Sequence, residues 1–403
     1  MITARDVQAA RAAVETVARR TPILSTRTFS ERAGGTVVLK AENLQRTGSF
    51  KVRGVAAKLA KLGEEGCARG VVAASAGNHA QALAAAAQMR GIRCEVFVPA
   101  DAPMAKVEAA RGQGAIVHVG GSSVDACLIA ALERSETGGL AFVHPFDDEA
   151  IVAGQGSLGL ELLEDVPDLA KVVIPVGGGG LCAGVALAIK AARPDVSIVG
   201  VQAAACAPFP ESMRAGEPIE ALSALTIADG IAVKRPGGIT LPLLMELTDE
   251  VVAVGEDETA EAMVLLLERC KLVVEGAGAV GVAALLGGHV KPAEDGVTVA
   301  ILSGGNVDAG LLAAIARRHE TQSGRRLVLL TRVPDRPGAL ATILATVAGT
   351  GANIVDVSHM REGLDLHVRE TAVEFVLETR GHEHAERVLK ALHDEGYTAQ
   401  VLS

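Results

Sequence analysis

Val172-Val173-Ile174-Pro175-Val176-Gly177-Gly178-Gly179-Gly180-Leu181 runs from five apolar residues straight into four consecutive glycines. A short run that is apolar on both faces reads as a strand of a parallel sheet, covered by helices above and below. The alanine-rich residues that follow, 181–192, read as a helix. Four residues without Cβ at a strand-to-helix turn let several backbone amides converge on one anion, so the stretch is expected to cradle a phosphate. A dinucleotide-binding turn is its closest rival, because Gly178-x-Gly180-x-x-Ala183 fits G-x-G-x-x-A. That pattern wants an acidic residue about twenty positions on, and Gln202 stands there instead. No Walker-type lysine follows the glycines, and a plain flexible turn is the remaining alternative.

The same alternation extends outward in both directions. Residues 37–39, 71–74, 95–98, 116–119, 198–201 and 297–302 are further short apolar strands, with helical runs at 79–89, 123–133 and 258–272 between them. The pattern predicts an α/β fold with parallel sheets covered on both sides. It breaks at residues 317–326 (RRHETQSGRR), where Ser323-Gly324 suggests a flexible linker, so the first part is expected to span 1–316 and the tail 327–403. In the tail, Leu340, Ile343, Leu344 and Val347 form one helical stripe, and Ala385, Val388, Leu389 and Leu392 a second. Strands are predicted at 327–331, 353–357, 371–378 and 398–402. The order β-α-β-β-α-β is that of a ferredoxin-like module.

Composition narrows the function. The 403 residues carry 38 Lys and Arg against 48 Asp and Glu, a formal charge of −10, with seven Phe, one Tyr and no Trp. No basic field exists to hold nucleic acid or an anionic membrane surface, and little is available for base stacking. The six cysteines, Cys67, Cys94, Cys127, Cys182, Cys206 and Cys270, form no C-x-x-C pair and read as free thiols of a reducing cytoplasm. Charged residues from Arg5 to Arg20 interrupt any apolar leader, and the longest uncharged stretch, 172–189, contains Pro175 and the four glycines. Neither a signal peptide nor a membrane helix is expected. His118, His144, His289, His319, His359, His367 and His382 have no metal-like spacing, so no metal is expected either.

Three further segments end on predicted strands as the glycine run does. Lys40-Ala41-Glu42-Asn43-Leu44-Gln45-Arg46-Thr47-Gly48-Ser49-Phe50-Lys51 leads from a strand into a helix beginning near Ser49. An ordinary lysine is misplaced in a first helical turn, which already carries partial positive charge. A lysine whose amine must be neutral to act as a nucleophile is favoured there by the dipole and by desolvation. Ser75-Ala76-Gly77-Asn78-His79 follows the strand 71–74 and could bind a carboxylate through its amides, although Ser and Asn are also ordinary helix caps. Ser303-Gly304-Gly305-Asn306 follows the strand 297–302. Ligands of α/β sheets collect at the carboxyl ends of strands, so the four segments are expected to share one site.

Together these motifs resemble the fold-type II pyridoxal-phosphate enzymes, and among them the threonine and serine dehydratases, over residues 4–317. The resemblance implies a tryptophan synthase β-like fold of two subdomains, with the smaller, about 52–146, inserted in the larger. It implies that Lys51 carries pyridoxal 5'-phosphate covalently and acts as the catalytic base, with Phe50 beside the ring. Asn78 would bond the ring's phenolic oxygen, Gly177, Gly178, Gly179, Gly180 and Leu181 would bind the phosphate, and Ser303 would face the pyridine nitrogen. Ser75, Ala76, Gly77, Asn78 and His79 would receive the substrate carboxylate. Asp229, Gly230 and Glu275 match positions lining the cofactor cleft, or simply form turns. The tail, with Pro334-Asp335-Arg336-Pro337-Gly338-Ala339-Leu340, resembles an ACT domain. That implies an amino-acid effector, isoleucine first, and a homodimer or homotetramer.

The implied reaction is elimination of water from L-threonine, giving 2-oxobutanoate and ammonia, and from L-serine, giving pyruvate. Similar serine racemases carry a second serine where this chain has Ala76, so racemisation is expected to be weak. The stretch Gln202-Ala203-Ala204-Ala205-Cys206-Ala207-Pro208 lacks the carboxylates of a metal loop found in some relatives. Alternatives are a threo-3-hydroxyaspartate dehydratase, another β-elimination or replacement enzyme, and, outside catalysis, an amino-acid-binding regulator.

Overall fold

The computed structural model describes residues 2–75, 77–102, 104–361 and 366–402. Its strands are β1 (Ile23–Ser25), β2 (Val37–Lys40), β3 (Val71–Ala74), β4 (Cys94–Val98), β5 (Ile116–Val119), β6 (Ala141–Phe142), β7 (Leu169–Pro175), β8 (Ser197–Ala203), β9 (Glu250–Val254), β10 (Val297–Ile301), β11 (Arg326–Pro334), β12 (Asn353–Met360), β13 (Glu370–Glu378) and β14 (Ala399–Leu402). Two compact units divide between Asp308 and Ala309.

The first unit holds two sheets. Six strands run in the order β1-β2-β10-β7-β8-β9, and all neighbours are parallel except β1 against β2. Four parallel strands in the order β5-β4-β3-β6 form the other sheet, drawn from residues 71–142. Val172, Val173 and Ile174 of β7 are fully buried, so both faces of the sheet are covered, as their composition requires. Glycines let two flanking helices, Glu149–Asp165 and Gly180–Ala192, meet at backbone distance: a Cβ on Gly184 would stand 2.3 Å from the Val152 carbonyl. That contact seats the first turn of the helix Gly180–Ala192, and with it the glycine run.

Charged residues in and just beyond the Lys40–Lys51 segment fasten its two ends. Arg53 is buried and pairs through Nε with Glu42 at 2.8 Å and through Nη1 with Glu161 at 2.7 Å. Buried Lys40 reaches Glu161 at 2.7 Å and donates to the Thr21 carbonyl at 2.8 Å. The helix Lys51–Cys67 is thereby tied to the end of β2 and to the helix Glu149–Asp165.

Some expected boundaries move. Residues 317–326 are not a linker: the helix Ala309–Gln322 runs through most of them and β11 begins at Arg326. Polar residues suit the solvated face of that helix, which buries Ile315, and the unit boundary accordingly falls at 308/309 rather than after 316. The predicted helix 258–272 starts at Glu256, becomes π-helical over Leu266–Cys270 and ends with Lys271 left-handed at φ +60°. Strands β1, β6 and β9 lie outside the expected set; β1 and β6 have only three and two residues, too short for a periodic signal.

The second unit has an antiparallel sheet ordered β12-β13-β11-β14, packed on the helices Ala339–Gly349 and His382–Asp394. Ile343, Val347, Val388 and Leu392 from the two stripes are buried against Leu329, Val373 and Phe375. This is the ferredoxin-like βαββαβ arrangement. Among the described residues no helix is long and apolar enough to cross a membrane.

Candidate active site

Strands β2, β3, β7 and β10 deliver the four glycine- and amide-bearing segments from their carboxyl ends, where parallel sheets bind ligands. A cleft of about 540 Å³, open mouth included, is bordered by Phe50, Lys51, Asn78, the run from Gly177 to Leu181, and Ser303. Gly230, Glu275, Pro145 and Phe146 complete much of its wall.

Lys51 opens the helix Lys51–Cys67, and its Nζ donates to the Pro145 carbonyl at 2.9 Å. It also lies 5.2 Å from the centre of the Phe50 ring. Burial pulls the amine down to about 8, while Glu275 pulls the other way. An amine near neutrality exists in both protonation states at working pH, as a group that both attacks and shuttles a proton must.

Three motifs meet around Asn78. Its Nδ2 donates to Glu275 Oε1 at 2.6 Å, and its Oδ1 accepts from Asn306 Nδ2 at 2.8 Å. Asn306 Nδ2 also donates to the Thr47 carbonyl at 2.8 Å. The backbones join as well, since Phe50 N–H donates to Ser303 O at 3.1 Å and Gly305 N–H to Gly48 O at 2.8 Å. Burial pushes the Glu275 carboxyl up to about 7, and Asp229 adds to the rise.

The glycine run has no room for side chains. A Cβ on Gly178 would stand 2.3 Å from the Phe146 ring, and Gly179, at φ +93°, would place one 2.8 Å from Phe209 and Thr240. Thr240 Oγ1 donates to Gly178 O at 2.6 Å, while Asp147 accepts from the amides of Gly238 at 2.9 Å and Ile239 at 2.8 Å. The loop is therefore held from behind and lines the cleft with backbone. The first amides of the helix Gly180–Ala192 have no acceptor within that helix, which suits an anion. A buried amine of lowered pKa, a side-chain-free anion cradle and a fixed amide fit a phosphate-bearing aromatic aldehyde.

Ser303 sits across the cleft, its hydroxyl 3.3 Å from the Ala277 carbonyl to which it donates. Of the five residues expected to receive a carboxylate, Asn78 lines the cleft. Ser75 Oγ accepts from Gly77 N–H at 3.2 Å, and Ala76 lies outside the described residues. The buried His79 ring is turned to the Val143 carbonyl at 2.9 Å, and burial holds it down at about 3, so it is neutral. Only the His79 backbone is suited to an anion.

The turn His144-Pro145-Phe146-Asp147 is given no site role in the sequence reading, yet it reaches the lysine, the glycine run and the loop beyond it. His144 Nδ1 accepts from Asp147 N–H at 2.7 Å. A polar turn with one proline carries no specific chemical signal in sequence, and its role becomes visible only through these contacts.

Residues 14–304 match the family model described as pyridoxal-phosphate dependent enzyme, and residues 327–396 match the ACT domain. The chain is 45% identical over 403 residues to the L-threonine ammonia-lyase of Thermotoga maritima, covering 100% of both chains. Among solved structures it is similar to maize serine racemase (TM-score 0.75, 34% identity, 80% of this chain and 98% of that one). It is likewise similar to the processed form of threonine deaminase isoform 2 from Solanum lycopersicum (TM-score 0.73, 34% identity, 77% and 92%).

Proposed function

The chain belongs to the pyridoxal-phosphate dependent enzymes and carries an ACT domain, and on that footing we propose that it is a threonine ammonia-lyase, forming 2-oxobutanoate and ammonia from L-threonine. The substrate rests on likeness to a threonine ammonia-lyase along the whole chain. The chemistry rests on one observation, the Lys51 amine enclosed in the same cleft as the glycine run, Asn78 and Ser303.

Pyridoxal phosphate, when bound, supplies the electron sink that makes the substrate's α-proton removable. Gly177 to Leu181 would hold its phosphate through backbone amides, and Lys51 would hold its aldehyde group. The Lys51 amine, lowered to about 8, is suited to take a proton from the substrate's α-carbon. Phe50 would border the ring, and Asn78, which gives one amide hydrogen to Glu275, would keep the other for the phenolic oxygen. Ser303 would face the ring nitrogen with a hydroxyl rather than a full counter-charge. The amides around Gly77 and Asn78 take the substrate carboxylate.

In the second unit, Pro334, Asp335, Arg336, Arg361 and Thr371 border an open cavity of about 270 Å³, where Arg361 pairs with Asp335 at 2.9 Å. The ACT match supports an amino-acid effector; isoleucine as that effector, and action in a homodimer or homotetramer, are part of the proposal. Free cysteines support a reducing cytoplasm as the setting.

A 2-oxo acid assay with L-threonine, L-serine and threo-3-hydroxyaspartate tests the reading. Turnover of L-threonine, with L-serine second, is expected; no oxo acid from L-threonine would refute it.

A further inference from the structure

The Lys106 ammonium pairs with Asp229 Oδ2 at 2.5 Å. Lys106 stands in the helix Met104–Gly112, beside the sheet β5-β4-β3-β6, whereas Asp229 opens the turn Asp229–Ile231, whose Gly230 and Ile231 line the cleft from the other side. The ion pair therefore ties the helix Met104–Gly112 to a turn that lines the cleft. Lys106 Nζ also lies 3.9 Å from the point where a Cβ on Gly77 would stand, so its charge sits over the loop assigned to the substrate carboxylate.

We propose that Lys106 receives the substrate's carboxylate, with Asp229 as the partner it releases on binding. The inference rests on the proposed function and adds a specificity residue to the same site. The two partners are unequal: the Lys106 side chain is 13% exposed and that of Asp229 54%. Asp229 can return to water cheaply, while the ammonium, once closed in, keeps its charge satisfied by exchanging one carboxylate for another. A compact ammonium on a flexible stem suits such an exchange better than a planar guanidinium, because its three donors turn freely. The exchange also discriminates, since an amine without a carboxylate leaves the Lys106–Asp229 bridge closed. Lys106 and Asp229 pull the Glu275 carboxyl in opposite directions, which is the electrostatic sign of their reach into the cleft.

Two substitutions break the same ion pair and are expected to act oppositely. Asp229→Asn frees Lys106 and lowers KM for L-threonine, whereas Lys106→Met raises it about tenfold with a smaller change in kcat. Lys106→Arg, which keeps the charge, is expected to recover most of the loss. Titrating the visible absorbance of the holoenzyme with L-alanine and with ethylamine, which differ only in the carboxylate, reads the interaction without turnover. The wild type is expected to prefer L-alanine, Asp229→Asn to prefer it more, and Lys106→Met to lose about tenfold of the preference. KM moving the same way in Asp229→Asn and Lys106→Met would show a mere clasp and overturn the proposal, as would an undiminished L-alanine preference in Lys106→Met. Failure of the wild type to deaminate L-threonine, with the alanine preference intact, would instead refute the substrate and leave the Lys106 assignment standing.

Discussion

Asn78 donates its side-chain amide to Glu275 at 2.6 Å, and that bond fixes which way the amide faces. With its oxygen accepting from Asn306, one amide hydrogen of Asn78 is left for the cleft. Glu275 thus acts on the site through Asn78 and brings a buried, titratable carboxyl with it.

That carboxyl gives the stability a pH dependence of defined sign. Burial first, and Asp229 second, raise it from its ordinary 4.5 to about 7. Between those values the folded cofactor-free protein keeps a proton that the unfolded chain releases, so stability falls as pH rises through the window and levels off above it. Glu275→Gln removes the titration. Chemical denaturation of the two apoproteins at pH 5 and pH 8 should show the wild type losing ground to the variant, by on the order of 3 kcal/mol at most. A difference that does not change with pH would contradict the assignment.

Gly178→Ala should separate cofactor binding from folding. The added methyl meets the Phe146 ring at 2.3 Å, so the loop must move, at about 1–3 kcal/mol in stability. Equilibrium dialysis against pyridoxal phosphate is expected to show affinity falling by more than about tenfold. A variant binding the cofactor as tightly as the wild type would show that the loop is not the cradle.

Arg53→Ala leaves Glu42 buried and without its bidentate partner, which should cost about 3–5 kcal/mol by denaturant titration. Arg53→Lys should not restore the loss, because one ammonium cannot reproduce the fork that joins Glu42 and Glu161.

The parts of the molecule legible in sequence are those governed by local chemistry. Val172 to Leu181 reads as strand, anion turn and helix because each residue's burial or lack of Cβ dictates its conformation. The two apolar stripes of the tail read as helices for the same reason. Lys40 and Glu42 are different: they belong to the quoted motif but serve the buried Arg53 network, a role that depends on Glu161 more than a hundred residues away. Asn306 was quoted only as part of a turn, and its link to Asn78 is a property of the folded chain. The segment 317–326 misled because polar composition marks a solvated helix face as readily as a linker.

L-Serine distinguishes elimination from its nearest rival. Serine racemases carry a second serine at the position of Ala76 and alanine has no exchangeable proton, so the purified protein should form pyruvate faster than D-serine, measured by oxo-acid assay and chiral chromatography. Faster formation of D-serine would point to racemisation instead.

The proposed attachment of the cofactor to Lys51 underlies every other assignment. Reduction of the holoenzyme with borohydride, followed by proteolysis and mass spectrometry, should find the pyridoxyl group on the peptide containing Lys51 and on no other. A label on a different residue, or no label on a protein saturated with cofactor, would contradict it.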